Sequence, residues 1–230
     1  MTRALAIDTT SDVLSLGVRH GDGPLHQVHD RCGAAMNRRL LTTIDALLHQ
    51  AGLTPAELDV VLVARGPGSF TGTRMGLAVA RSFAQIAGTA LVGVDTLALL
   101  AAAVDPAQAP ARGHALLRCT RREVYLATYA WEQGAPRREG EIALLPLPEL
   151  LAAVGTEPVV LREHDGVHGG PDPRLEALRP MALRHAAPDA ALLMEVGLAL
   201  FARGEPLPEA APIYLKSAAF RTWQPRREAP

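Results

Sequence analysis

The stretch Leu58-Asp59-Val60-Val61-Leu62-Val63-Ala64-Arg65-Gly66-Pro67-Gly68-Ser69-Phe70-Thr71-Gly72-Thr73-Arg74-Met75-Gly76 decides the fold. Residues 58–64 form a nearly continuous apolar run of strand length, the pattern of a strand covered on both faces. Residues 65–72 read as a loop, and a helical pattern follows over about 73–87. A buried strand, a tight polar loop and a long helix in succession are the building unit of an α/β protein. Backbone N–H groups at such a loop can hold an anion. Ser69 or Thr71 can equally cap the helix and make the loop a plain turn. No Gly-Lys-Ser/Thr follows, so this is not a Walker A loop, and the glycine spacing is one residue too long for the dinucleotide fingerprint.

The helix presents two packing stripes. Met75, Ala78, Val79, Ser82, Phe83 and Ile86 form an apolar one. Gly72, Gly76, Ala80, Ala84 and Gly88 recur every fourth residue and form a small one. Small residues remove the ridge that holds helices about 8–10 Å apart, so another backbone can come close. Two packed faces predict two partners, the sheet and a neighbouring helix of this or another chain.

Toward the N-terminus, residues 4–7 are apolar and end in Asp8-Thr9-Thr10-Ser11. Strand patterns at 13–18 and 25–30, separated by Gly21-Asp22-Gly23, predict an antiparallel meander. Met36, Leu40, Leu41, Ile44, Leu47, Leu48 and Ala51 make one helical stripe. A strand at 91–94 and a helix at 97–103 follow. Two prolines within 105–110 place a boundary between a lobe of residues 1–107 and a smaller lobe of residues 108–230. The second lobe reads as strands at 114–117 and 124–129, a turn at 136–140, and a strand at 141–145. A helix at 148–154, a strand at 159–161, a loop at 164–174 and a helix at 189–202 complete it. The last helix is expected to pack back on the first lobe.

Composition narrows the function. The 230 residues carry 23 basic and 24 acidic side chains, a net charge of −1. A free-standing nucleic-acid binder shows a basic excess, so only a local basic strip remains open. Cys32 and Cys119 are in no C-x-x-C spacing, which fits a reduced cytoplasm. No secretory leader and no apolar run of about 18 residues is present, so a cytoplasmic protein without a membrane span is expected. His164 and His168, with Asp165 and Asp172, have metal-ligand composition. They lie in a Gly/Pro-rich segment and not on a helix, so no metal is assigned. No H-E-x-x-H or G-x-S-x-G occurs, and no catalytic residue is assigned. Asp8-Thr9-Thr10-Ser11 resembles the phosphate hairpin of the actin, hexokinase and Hsp70 superfamily, without its usual glycine. Asp8, Thr9, Thr10, Gly66, Gly68 and Ser69 are the candidates for holding a cofactor phosphate.

Three strings together resemble one family: Leu5-Ala6-Ile7-Asp8-Thr9-Thr10, then Arg65-Gly66-Pro67-Gly68-Ser69-Phe70-Thr71-Gly72-Thr73-Arg74-Met75-Gly76, then Gly93-Val94-Asp95-Thr96-Leu97. They are similar to the TsaB (formerly YeaZ) family of bacterial tRNA threonylcarbamoyladenosine synthesis. The likeness is firm over about residues 1–105, with Glu123-Val124-Tyr125 and Pro212-Ile213-Tyr214-Leu215 as later echoes. It implies an α/β, actin/Hsp70-like (ASKHA) two-lobed fold, with a mixed sheet flanked by helices and a degenerate second lobe. It implies a non-catalytic subunit that binds and activates the TsaD transferase, with the TsaE ATPase joining the pair and tRNA met only through the complex. Metal-binding His-x-x-x-His belongs to TsaD and not to this family. ATP or ADP at the subunit interface is the one cofactor left open.

The resemblance also implies a helical bundle between subunits. Its expected residues here are Leu40, Ile44, Leu47, Gly72, Met75, Gly76, Val79, Ala80 and Phe83, and the same face predicts a homodimer when the partner is missing. Two positions depart from the family. Asn37 stands where many members carry His, and Arg118-Cys119-Thr120 where Asp-Ala-Arg is common. The alternative reading is an independent small ATPase or phosphotransferase using Asp8 and the Gly66–Gly72 loop. A peptidase, by kinship to glycoprotease-like proteins, lacks a recognisable nucleophile–base pair.

Overall fold

A computed structural model of the chain describes residues 1–161, 173–178, 182–185, 189–204 and 210–215. The first sheet begins with β1 (Arg3–Asp8), β2 (Val13–His20) and β3 (Leu25–Arg31), an antiparallel meander with Ile7 opposite Leu16 and Leu16 opposite Val28. Helix α1 (Met36–Gln50) leads to β4 (Val60–Ala64), which pairs parallel to β1. Helix α2 (Phe70–Ala87) leads to β5 (Ala90–Val94), parallel to β4. The sheet order is β3-β2-β1-β4-β5, mixed as the sequence predicts. Alternation sorts the central strands. Leu5, Ile7, Val61 and Val63 pack with the apolar stripes of α1 and α2, while Ala4, Ala6, Val60, Leu62 and Ala64 face the opposite layer. Covering both faces explains the unbroken apolar run of β4.

Helix α3 (Thr96–Ala102) leads to β6 (Arg112–Arg118), β7 (Glu123–Glu132) and β8 (Ala135–Pro146), a second antiparallel meander. Then come α4 (Leu150–Val154), β9 (Val159–Leu161), α5 (Pro173–Glu176), β10 (Ala182–His185) and α6 (Ala190–Ala202). The second sheet runs β10-β9-β6-β7-β8, with β9 parallel to β6 and β10 parallel to β9. Both halves therefore repeat one order of three strands, helix, strand, helix, strand, helix. The repeat is reduced in the second half, where α4 and α5 have 5 and 4 residues against 15 and 18 for α1 and α2. This is the α/β layout expected of the actin/Hsp70-like fold.

The last helix of each half crosses over. Leu97, Leu100 and Ala101 of α3 join the core of the second sheet. Leu193 and Met194 of α6 join Ala4, Leu62 and Val92 of the first, and Gly197 lies where a Cβ would sit 2.9 Å from the Leu62 methyls. Among the described residues no helix is long and apolar enough to cross a membrane.

Three local expectations are corrected. The helix read from Thr73 begins at Phe70, because the Ser69 hydroxyl accepts from Gly72 N at 3.2 Å and caps it. The turn read at 136–140 lies inside β8. The chain reverses instead at Gln133-Gly134, whose φ values of 53° and 81° suit a tight hairpin turn. Gly140 with φ 73° sits where the β7–β8 register shifts. Helix α5 and strand β10 form where no element was read. His164, Asp165, His168 and Asp172 lie outside the described residues.

Candidate functional site

Strand β1 ends on Asp8, and the turn that follows is enclosed, with Thr9 0% and Thr10 2% exposed. Asp8 Oδ1 accepts from Thr10 N at 2.8 Å and from Thr10 Oγ1 at 2.7 Å. The 65–76 motif folds directly onto this turn. Ser69 N donates to Thr10 O at 2.7 Å, and Thr9 Oγ1 donates to Gly72 O at 2.8 Å. The glycines make the approach possible. A Cβ at Gly68 would lie 2.4 Å from Thr10 O, one at Gly72 2.0 Å from Thr9 O, and one at Gly76 2.2 Å from Thr9 Oγ1. Gly66 has φ 85° and its carbonyl accepts from Thr96 N at 2.8 Å, tying the same loop to the start of α3. Thr9 Oγ1, Thr10 Oγ1 and Ser69 N are donors that could serve a phosphate. Here their hydrogen bonds run within the chain, so the motif is a clasp between β1 and α2. Asp8 Oδ2 is buried without a hydrogen-bond partner among the described residues.

A cleft of about 510 Å³ lies beside the clasp, between the turn after β1 and the β6–β7 hairpin. The candidate cofactor set divides there. Thr10, Gly68 and Ser69 line the cleft, whereas Asp8, Thr9 and Gly66 do not. Asn37, Arg118 and Cys119, at the two places where the sequence departs from the family pattern, line the same cleft with Met75, Leu117 and Tyr125. At the start of α3, Asp95 caps the helix by accepting from Ala98 N at 2.6 Å and pairs with Arg138 of β8 at 3.0 Å. Burial raises the Asp95 carboxyl above its ordinary range, against the pull of its bond to Ala98 N and of Arg138. Burial likewise raises the phenols of Tyr125 and Tyr129 and the thiol of Cys32, so these stay protonated and weakly nucleophilic at neutral pH. Among the described residues no group of three His, Cys, Asp or Glu side chains is placed to hold a metal.

The helix face read as an interface splits in two. Leu40, Ile44 and Leu47 are 0–2% exposed and fill the core of the first sheet. Gly72, Gly76 and Ala80 are buried too, the two glycines against Thr9. The N-terminal part of the small stripe thus packs internally, its glycines against the turn after β1, while Gly88 at its far end is exposed. Met75, Val79 and Phe83 are half-buried at the edge of that core. Beside them Ala78 and Ser82 are exposed, as are Ile86 at 62% and Leu41 of α1 at 56%. The signal for Leu41 and Ile86 was present as two apolar residues at the margins of their stripes, which periodicity assigned to the inside.

A second exposed feature was not legible. Phe70 and Tyr214 stack with ring centroids 5.2 Å apart, and the Arg74 guanidinium lies 4.7 Å from the Phe70 centroid. The two rings come from distant parts of the chain, so no local pattern announces the pair.

The family model described as TsaD: tRNA N6-adenosine threonylcarbamoyltransferase matches residues 31–138. The tRNA threonylcarbamoyladenosine biosynthesis protein TsaB of Escherichia coli is 28% identical over 149 residues, 65% of this chain and 64% of that protein. An uncharacterized protein of Mycobacterium tuberculosis is 35% identical over 133 residues, 56% of this chain and 60% of its own length. The match thus spans somewhat under two thirds of these relatives. In structure, YeaZ from Pseudomonas aeruginosa superposes with a TM-score of 0.72 at 27% identity, covering 94% of this chain and 100% of that one.

Proposed function

We propose, from the likeness to the TsaB (YeaZ) family seen in both sequence and fold, that this chain is a non-catalytic partner subunit in forming threonylcarbamoyladenosine in tRNA. In this reading it works in the cytoplasm, binds and activates a TsaD-like transferase, and is joined by a TsaE-like ATPase. ATP or ADP, where present, sits between subunits and not in this chain's own clasp.

One observation carries the reading. Thr9 Oγ1 and Ser69 N, donors that would serve a phosphate, instead join the turn after β1 to the start of α2, and Thr10 Oγ1 closes that turn on Asp8. The chain's outward chemistry is instead an apolar rim on α1 and α2: Leu41, Met75, Val79, Phe83 and Ile86. Exposed Leu41 and Ile86, with Met75, Val79 and Phe83 half-buried beneath them on helices that share one core, suit docking against helices of a partner. With no transferase present, the same rim joins two copies of the chain.

The test is size exclusion with light scattering on the chain and its cognate TsaD-like protein, repeated with Leu41→Asp and Ile86→Asp. Both positions are solvent-exposed, so the fold tolerates the change to within about 0.5 kcal/mol. A buried interface charge costs about 2–4 kcal/mol, so the complex should weaken about 30-fold or more. Wild-type affinity in both variants would move the interface elsewhere, and no complex with the wild-type chain would end the reading.

A further inference from the structure

We propose that charge makes the face of α1 and α2 select its partner. It fits a helical surface of the transferase-like protein that carries carboxylates beside an apolar strip, and it opposes a second copy of this chain. The inference rests on the reading above and deepens it. The two helices hold four arginines, Arg38, Arg39, Arg74 and Arg81, against one acid, Asp45, and α2 has no acid at all. All four arginines are exposed. Asp30 of β3 neutralises Arg39, while the other three have no carboxylate partner among the described residues. Arg74 lies 4.7 Å from the Phe70 centroid and Arg81 donates to Ala210 O at 2.9 Å, so both are steadied without losing their charge. The segment before β4 packs on α2, but its acids are engaged. Asp59 holds Arg3, and Glu57 accepts from Thr54. The chain as a whole carries −1, so this face stands apart in sign.

The cations flank the apolar rim. Arg38 and Asp45 lie three before and four after Leu41, so both are its neighbours on the surface of α1. On α2 the exposed Ala78 is neighbour to both Arg74 and Arg81, and the line continues through Ser82 to Ile86. A dimer of two copies is isologous and sets the same patch against itself, so the arginines of both copies are brought together. The aliphatic residues still attract, and the charges weaken that attraction. Carboxylates on a different partner reverse the sign and speed the encounter. The exposed Leu41 and Ile86 stand between the cations and call for apolar cover, which a protein surface supplies and a phosphate backbone does not.

The test compares self-association, by sedimentation of the full chain, with the rate and affinity of its binding to the cognate transferase. Both are read at about 0.1 M and about 1 M salt, where charges are screened beyond about 10 Å and about 3 Å. One variant combines Arg38→Gln, Arg74→Gln and Arg81→Gln. A second combines Arg38→Lys, Arg74→Lys and Arg81→Lys and keeps the charge. Raising the salt should slow wild-type association with the transferase about tenfold or more and tighten self-association about threefold. At low salt the Gln variant should bind the transferase about tenfold more weakly and itself more tightly, and the Lys variant should follow wild type in both. A merely structural role would weaken both contacts together, with no rescue by Lys. Transferase binding indifferent to salt and to the Gln variant overturns the proposal, as does self-association that the Gln variant fails to tighten. A Gln variant that loses a labelled tRNA while keeping the transferase also overturns it, since the face would then serve nucleic acid. If the wild-type chain binds no transferase, yet self-association tightens with salt and in the Gln variant, the partner reading falls and the selection against a second copy stands.

Discussion

Thr9 carries more of the structure than its size suggests. Its hydroxyl donates to Gly72 O, and both its carbonyl and its hydroxyl lie where side chains at Gly72 and Gly76 would have to go. Gly76→Ala should therefore destabilise the chain by about 1–3 kcal/mol, read as a lower urea midpoint. A wild-type midpoint would mean that α2 can lift from β1 without cost. Asp8→Ala should also lower the midpoint, because Thr10 N and Oγ1 lose their buried acceptor, at about 1–3 kcal/mol. The ATPase alternative expects something different, namely magnesium-dependent ATP turnover that the same substitution abolishes.

A third residue gives a pH signature. Arg3 donates twice to the Asp59 carboxylate, with Arg3 N donating as well, and these bonds hold its pKa at about 2 against an ordinary 3.8. The folded form binds its proton later than the unfolded one. The stabilisation is thus complete above about pH 4 and is lost as pH falls toward 2. The melting temperature of wild type should exceed that of Asp59→Asn at pH 6, and the gap should close by pH 2. A gap that persists at pH 2 would assign it to something other than this charge. The motif glycines were legible as a string, but their partner was not. Thr9 is 63 residues away from Gly72, and nothing local to either marks the approach.

Helix α3 is short, with 7 residues, and depends on what holds its first turn. Asp95 caps it and pairs with Arg138 across to β8, so one carboxylate fixes both the helix start and the seam between the sheets. Asp95→Ala should cost about 1–2 kcal/mol through removal of the cap, and Asp95→Asn less, since an amide still caps. Equal losses in thermal unfolding would place the weight on the charge pair instead. Periodicity found the long elements well because α1 and α2 bury one stripe each and β4 is covered on both faces. It misplaced the β7–β8 reversal. Gln133 has φ 53°, an unusual residue for a hairpin turn, while Pro136 and Gly140 nearby look like stronger turn signals. It also left open what the small stripe of α2 packs against, because spacing shows that a face is tight but not what lies against it.

The two halves share one topology, and each lends its last helix to the other's sheet. Motif strings in the first half made that half readable. The second half was read strand by strand, since its repeat is topological and its shortened helices leave no matching sequence period. The exchange of α3 and α6 depends on packing between distant segments and has no local signature. The result is a body whose inner turn is sealed by its own glycines and whose outer helices keep an apolar rim, as suits a subunit that acts by binding. Reconstituted threonylcarbamoyladenosine formation on unmodified tRNA reads that role directly, with purified transferase, the ATPase and a source of threonylcarbamoyl-adenylate, with and without this chain. Modification that requires the chain, survives Asp8→Asn in a folded variant, and falls with Leu41→Asp and Ile86→Asp is the expected result. Equal modification without the chain would contradict it.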